Sequence, residues 1–293
     1  MRMRPDCLVC LFDQALRTAK LLSCDEECAL SILHTAAKDI EGFGLDRTPP
    51  EAAAVLYPHI SQIIGLDDPF AELKLRSTNR AFEYLDFVWE RIDEAPCKID
   101  AALRAAVAGN VIDFATNVRF DLSDEIRKVF EADFAIDEKP LFIEKLKKAK
   151  SFLLIGDNAG EHVYDKVLLE VIAEYYPDME RYYMVRGRPI INDVTAAEAR
   201  AIGIDTVATI VDSGVDTPGF LPERANEEAR RLFESVDLIL AKGMGNFECL
   251  DTLADPRLFH LFKVKCEVVS QRAGAEVGAL VCVNNAHIDK EDR

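Results

Sequence analysis

The stretch SFLLIGDNAGEHVYDKVLLEVIAEYYPDMERYYMVRG, residues 151–187, decides the fold. A short apolar run stops at Gly156, apolar residues at helical spacing follow to residue 176, and a second apolar run stops at Gly187. Strand, helix and strand in that order make a parallel pair joined by a crossover. Downstream, TVATIVD (206–212), LILAKG (238–243), CEVVSQ (266–271) and ALVCVN (279–284) read as further strands. Helical patterns at 193–203 and 223–236 separate several of them. The expectation is a mainly parallel sheet covered by helices, with any ligand at the carboxyl ends of its strands.

Upstream the texture differs. From Pro5 to about residue 150 one helical pattern follows another, with starts expected near Asp6, Ser23, Thr48, Asp68, Asp100, Asp121 and Pro140. Ser23 with Glu26 has the spacing of a capping box. The chain therefore divides into a helical bundle over 1–150 and an α/β portion over 151–293.

Composition narrows the function. Lys and Arg number 35 against 52 Asp and Glu, a formal charge of −17 over 293 residues, which repels phosphate backbones and argues against nucleic acid as a partner. No basic-then-apolar leader opens the sequence and no window nears ~18 apolar residues, so a soluble cytoplasmic protein is expected, with no membrane partner. The eight cysteines are read as reduced thiols, because a chain of this size needs no disulfide staples. The CxxC at Cys7 and Cys10 lacks a second pair and a nearby His, so a closed zinc site is weakly supported.

Chemistry concentrates where the strands end. The first strand delivers Asp157 and Asn158, hard oxygen donors suited to Mg²⁺, Mn²⁺ or Ca²⁺, unless either merely caps the next helix. The second is followed by Asn192 and Asp193, with the same two readings. Adjacent donors on neighbouring loops can meet around one cation, whereas a cap needs one oxygen. Ser213 opens a loop of hydroxyls and glycine able to hold an anion, or simply to turn. Lys242 and Gly243 stand at the fourth strand end, either a phosphate clamp or a solvated Lys before a turn. In the helical half, Asn110 and Asp113 share a helix face among apolar neighbours. No Walker, dinucleotide or Gly-x-Ser-x-Gly pattern is present.

Taken in order, PDCLVC, AGNVIDF, GDNAGE, RPIINDVT, DSGVDTPG, AKGMGNFE and KVKCEVV resemble the damage-control phosphatase family over essentially the whole chain. Cys7-x-x-Cys10 and Lys265-Cys266 resemble its prokaryotic, stand-alone subgroup. The resemblance implies a helical bundle packed on a three-layer α/β/α, Rossmann-like domain, and a phosphatase dependent on Mn²⁺, Co²⁺, Ni²⁺ or Mg²⁺. Its substrates would be small phosphorylated metabolites, such as sugar phosphates or damaged phosphometabolites. By motif, the metal ligands fall on Asp157, Asn158 and Asp193, with Asp157 and Asp193 catalytic. Lys242 falls on the phosphate-binding lysine, with Gly243 and Ser213 supplying amides, and Asn110 and Asp113 fall on the substrate side. Attack by an activated water and direct attack by Asp157 both stay open. A non-catalytic sensor of phosphorylated ligands is the alternative function.

Overall fold

The computed structural model describes residues 1–109 and 122–288. The first part is helical: α1 (Pro5–Leu21), α2 (Glu26–Glu41), α3 (Pro49–Ile64), α4 (Ala71–Glu83), α5 (Leu85–Glu94) and α6 (Lys98–Ala108). Thr48 and Glu51 exchange side-chain and backbone hydrogen bonds, and two prolines fill the opening positions, so α3 starts where expected. For α2 the cap is Asp25, whose carboxylate accepts from the Cys28 N–H at 2.8 Å. Ser23 instead takes a φ of +56° in the preceding turn, so the start expected there moves two residues on. The helical pattern that opens near Asp68 breaks at Tyr84 into α4 and α5. Leu11, Ile32, Leu56 and Ile60 bury the facing sides of α1, α2 and α3 in one core, which also takes in Ile190 from beyond the sheet.

The rest alternates: α7 (Leu122–Glu131), β1 (Phe134–Asp137), α8 (Lys139–Leu146), β2 (Ser151–Ile155), α9 (Glu161–Tyr175), β3 (Glu180–Val185), α10 (Ala196–Ala201), β4 (Thr209–Asp212), α11 (Glu227–Ser235), β5 (Leu238–Lys242), α12 (Gly243–Leu250), β6 (Leu258–Lys263), α13 (Glu267–Ala273) and β7 (Leu280–Asn284). The strands form one sheet in the order β1-β7-β6-β5-β2-β3-β4, parallel except where β6 meets β7. From β2 the chain first steps outward to β3 and β4, then returns to β5 on the other side. That reversal makes the carboxyl ends of β2, β3 and β5 the switch point.

Both faces of the sheet are buried, as a parallel sheet requires. Phe152, Leu154 and Leu240 pack under α6 and α9, while Leu153, Ile155 and Ile239 face the other way, toward Ala229 and Phe233 of α11. Three expectations change. β1 belongs to the sheet although it precedes residue 150, so the sheet draws on both portions of the chain. The segment 258–263, which carried no strand expectation, is β6, and CEVVSQ is largely α13. Gly274, at φ +71°, gives α13 a left-handed helix end, a signal stronger than the β-branched pair that suggested a strand. Among the described residues no helix is long and apolar enough to cross a membrane.

Phe142 of α8 is fully buried, edge-on to Phe152 at 5.9 Å and Phe259 at 5.4 Å between ring centroids. Phe142→Ala should cost about 3–5 kcal/mol through lost burial and a residual cavity. Chemical denaturation would show this as a lower midpoint with an unaltered slope.

Candidate functional site

Two loops at the switch point are clamped main chain to main chain. The Ala159 N–H donates to the Asn192 carbonyl at 2.8 Å and the Val194 N–H to the Asp157 carbonyl at 2.9 Å. Asn158 and Asp193 thereby lie opposite each other as an antiparallel bridge. Neither Asx pair caps a helix: α9 is preceded by Gly160 without a side-chain cap, and α10 by Thr195 in a capping box with Glu198. The capping alternative is removed for both, and the side chains are left for another task.

Asp157 and Asp193 are both more than nine-tenths buried. Between them lies Arg186, itself buried, whose Nε donates to Asp193 at 2.7 Å and whose Nη2 stands 4.0 Å from Asp157 and 3.3 Å from the Asn246 carboxamide oxygen. Its Nη1 has no hydrogen-bond partner among the described residues. Asn158 directs its amide nitrogen to Asp157 and Glu161, both at 2.8 Å, which leaves its carbonyl oxygen as an available donor. Beneath this layer, Lys242 is fully buried and donates to Asp165 at 2.8 Å, with Glu161 at 3.6 Å. Tyr183 donates to the other oxygen of Asp165 at 2.9 Å.

Lys242 is therefore not at the surface of the site, contrary to the clamp expected from its position. It is the last residue of β5, and the inward-pointing carboxylates of α9 hold it below the loops. Gly243 meets the site by close approach rather than through an amide contact: at φ +78°, a Cβ there would lie 1.9 Å from an Asp157 oxygen. Ser213 is not brought to the cluster, because its hydroxyl donates to the Val185 carbonyl at 2.6 Å and ties the end of β4 to β3. Asn110 and Asp113 lie outside the described residues. Gly109, just before them, packs so closely on α9 that a Cβ would sit 2.8 Å from the Glu161 Cα.

Above the cluster opens a cavity of about 1240 Å³ between α1 and α3 on one side and the strand-end loops on the other. Asp157, Asn158 and Asp193 line it, and so does Lys265, an exposed cation that follows β6. Cys7, Cys10 and Cys266 line it too, so both cysteine motifs meet at one place. Sequence reasoning missed Arg186, Glu161, Asp165 and the position of Lys265. Glu161 and Asp165, four apart on one helix, carried a readable signal as a carboxylate pair on a shared face. Arg186, the residue before a strand-ending glycine, had none.

Four carboxylates (Asp157, Glu161, Asp165 and Asp193) face two buried cations, an excess of two negative charges. Burial pushes Asp157 up despite the nearby Arg186, and raises Asp193 to about 7. Glu161 is raised to about 8 by burial and then by Asp157. For Lys242, burial alone lowers the pKa, but Asp165 and Glu161 more than offset it and hold the ammonium charged. A divalent cation fits this set: the donors are all hard oxygens, the charge excess matches, and Gly243 keeps a side chain away from Asp157. Among the described residues no three His, Cys, Asp or Glu side chains form a ready metal cage. Two carboxylates and a carboxamide are what the loops offer.

Residues 3–281 match the family model described as a damage-control phosphatase ARMT1-like domain. A damage-control phosphatase of Pyrococcus horikoshii is 31% identical over 287 residues, covering 97% of this chain and 99% of that protein. Another, of Archaeoglobus fulgidus, is 28% identical over 285 residues, 96% of this chain and 98% of its own. A crystal structure of a DUF89 family protein from Pyrococcus horikoshii superposes with a TM-score of 0.89 at 31% identity, over 97% of this chain and 99% of that one.

Two outcomes follow from the cluster. Glu161 and Asp193 bind protons more tightly folded than unfolded, so each contributes stability that is complete below its unfolded pKa of ~4 and is lost as pH rises through about 7 to 8. In chelator, the melting temperature should fall between about pH 6 and about pH 8.5, and a rise over that interval would contradict the cluster's electrostatics. Gly243→Ala should displace the Asp157 carboxylate and lose activity, with circular dichroism at low temperature still reporting a folded chain.

Proposed function

The chain belongs to the damage-control phosphatase family through its ARMT1-like domain, and from that premise we propose that it is a divalent-metal-dependent phosphatase of small phosphorylated metabolites, sugar phosphates or damaged phosphometabolites among them. Relatives named damage-control phosphatases support the reaction class. The observation that carries the reading is one cavity wall on which Asp157, Asn158, Asp193 and Lys265 stand together.

In this reading Asp157, the Asn158 carbonyl oxygen and Asp193 hold Mn²⁺, Co²⁺, Ni²⁺ or Mg²⁺. A divalent ion held there supplies Lewis-acid charge to a phosphoryl oxygen. Arg186 fixes the rotamer of Asp193 through its Nε and lends positive charge from below. Lys265, at the rim, pairs with the phosphate dianion, the task the sequence alone suggested for Lys242. Lys242 pairs with Asp165 and stands beside Glu161, so the carboxylates above it keep their positions. The attacking oxygen is a water oriented by a site carboxylate, or Asp157 itself through an aspartyl-phosphate, and trapping of a phosphorylated enzyme separates the two.

Asp157→Ala and Asp193→Ala should each abolish hydrolysis of p-nitrophenyl phosphate, together with the rise in melting temperature that Mn²⁺ or Co²⁺ gives. Full activity in either variant removes that residue from the site, and a metal-loaded wild type inactive on a panel of phosphometabolites would favour a binding role. The two lysines should part company. Lys265→Ala should lower kcat/KM by about 10²–10³ while metal-dependent stabilisation persists. Lys242→Ala leaves Asp165 buried and uncompensated and should destabilise the fold by about 3–5 kcal/mol.

A further inference from the structure

Cys24 and Cys28 sit on the bundle, at the turn from α1 into α2. Their sulfurs are in contact at 2.8 Å, with Cys28 donating to Cys24. Both residues are half-buried, packed against the bundle core yet within reach of a small molecule from solvent. Residues four apart inside a regular helix hold their Cβ atoms about 5–6 Å apart, wider than the about 3.5–4.5 Å that a disulfide spans. Cys24 escapes that limit because it stands before the helix. Ser23, at φ +56°, turns the chain back, and the Cys24 N–H donates to the Ala19 carbonyl at 3.0 Å. Asp25 then caps α2 by accepting from the Cys28 N–H at 2.8 Å. The backbone is thus pinned on both sides of the pair.

The separation selects the chemistry. Two thiolates on one tetrahedral metal, at about 2.3 Å each, stand about 3.8 Å apart, so a shared soft cation would have to push this pair open. A disulfide asks for the opposite, a closing by about 0.8 Å to its length of about 2.0 Å. At Cys7 and Cys10 the sulfurs are otherwise engaged: the Arg4 N–H reaches Cys7 at 3.4 Å and the Gln14 amide reaches Cys10 at 3.3 Å.

We propose that Cys24 and Cys28 are a redox modification site, a dithiol that a small-molecule disulfide oxidises to an intramolecular disulfide. One protein thiolate attacks a sulfur of the oxidant, forms a mixed disulfide and expels the first small thiolate. The second protein thiolate attacks the protein sulfur of that mixed disulfide, and the remaining small thiolate leaves. Two electrons pass from the pair to the oxidant, whose halves depart as two thiols carrying the two protons that the cysteines lose. Burial and the adjoining Cys28 raise the Cys24 thiol to about 11, so Cys24 rests protonated and the exchange quickens as pH rises.

The test uses the full chain, reduced, freed of reductant and held near pH 8 in excess oxidised glutathione, then quenched in acid, alkylated and digested with trypsin. Both cysteines fall in one tryptic peptide, residues 21–38, which holds no other cysteine. That peptide should emerge unalkylated and two hydrogens lighter than its dithiol form, and should revert in dithiothreitol. Its recovery with both sulfurs alkylated, or with glutathione on either sulfur as the end product, overturns the assignment. Oxidation in concentrated urea separates a site made by the fold from mere closeness in sequence. The ratio of intramolecular disulfide to glutathione adduct should be at least about tenfold higher in the folded chain, where the turn holds the sulfurs together. Equal ratios in the two conditions overturn the assignment as well.

Discussion

The site rests on one buried ion pair. Lys242 and Asp165 are both removed from water, and either one alone at that depth would neutralise itself or break the packing around it. Their pairing, completed by Tyr183, joins the ends of β5 and β3 to the first turns of α9 directly below the β2 loop. Because that joint is charged and satisfied, the layer above can carry Glu161, Asp157 and Asp193 at close quarters. Without it, the repulsion among them would push the loops apart.

The same accounting makes sense of Arg186. A guanidinium has five donors in a fixed fork, and here one holds Asp193, another reaches Asn246, and Nη1 is left without a partner among the described residues. A buried cation so placed lowers the cost of two neighbouring carboxylates without occupying the face they turn to the cavity. The protein as a whole bears a charge of −17, yet an anionic substrate has to enter. In the proposed reading the reversal is local, with Lys265 at the rim and a cation among the loop oxygens, and the distant acidic surface is screened over about 10 Å at ordinary ionic strength.

Much of this is legible in the sequence. Short apolar runs and a period-3.6 pattern locate β2, β3 and α9, and topology alone sends Asp157, Asn158 and Asp193 to one edge of the sheet. What could not be read is depth. Lys242 and Lys265 each follow an apolar run, and only the packing of α9 decides that the first is sealed beneath the loops and the second stands at the rim. Ser213 shows the same gap, since a hydroxyl that closes a strand end looks in sequence like one that meets a ligand. CEVVSQ was misread because two adjacent valines weigh toward a strand in a short window, while the deciding residue, Gly274, lies just outside it. β1 was missed because four residues at a sheet edge, half of them Ala and Asp, have little apolar periodicity to show.

The cavity wall has a consequence for how the protein comes into being. Cys7 and Cys10 on α1 line it together with Lys265 and Cys266 after β6, segments about as far apart along the chain as its length allows. Contacts of such separation close late, after the loop-closure entropy of everything between them has been met. A nascent or partly unfolded chain can have β2 and β3 paired, with Asp157 and Asp193 already adjacent, and still present an open shelf rather than an enclosed space. Enclosure of the cavity is in this sense a report on complete assembly, since it is finished only when α1 and the segment after β6 come together.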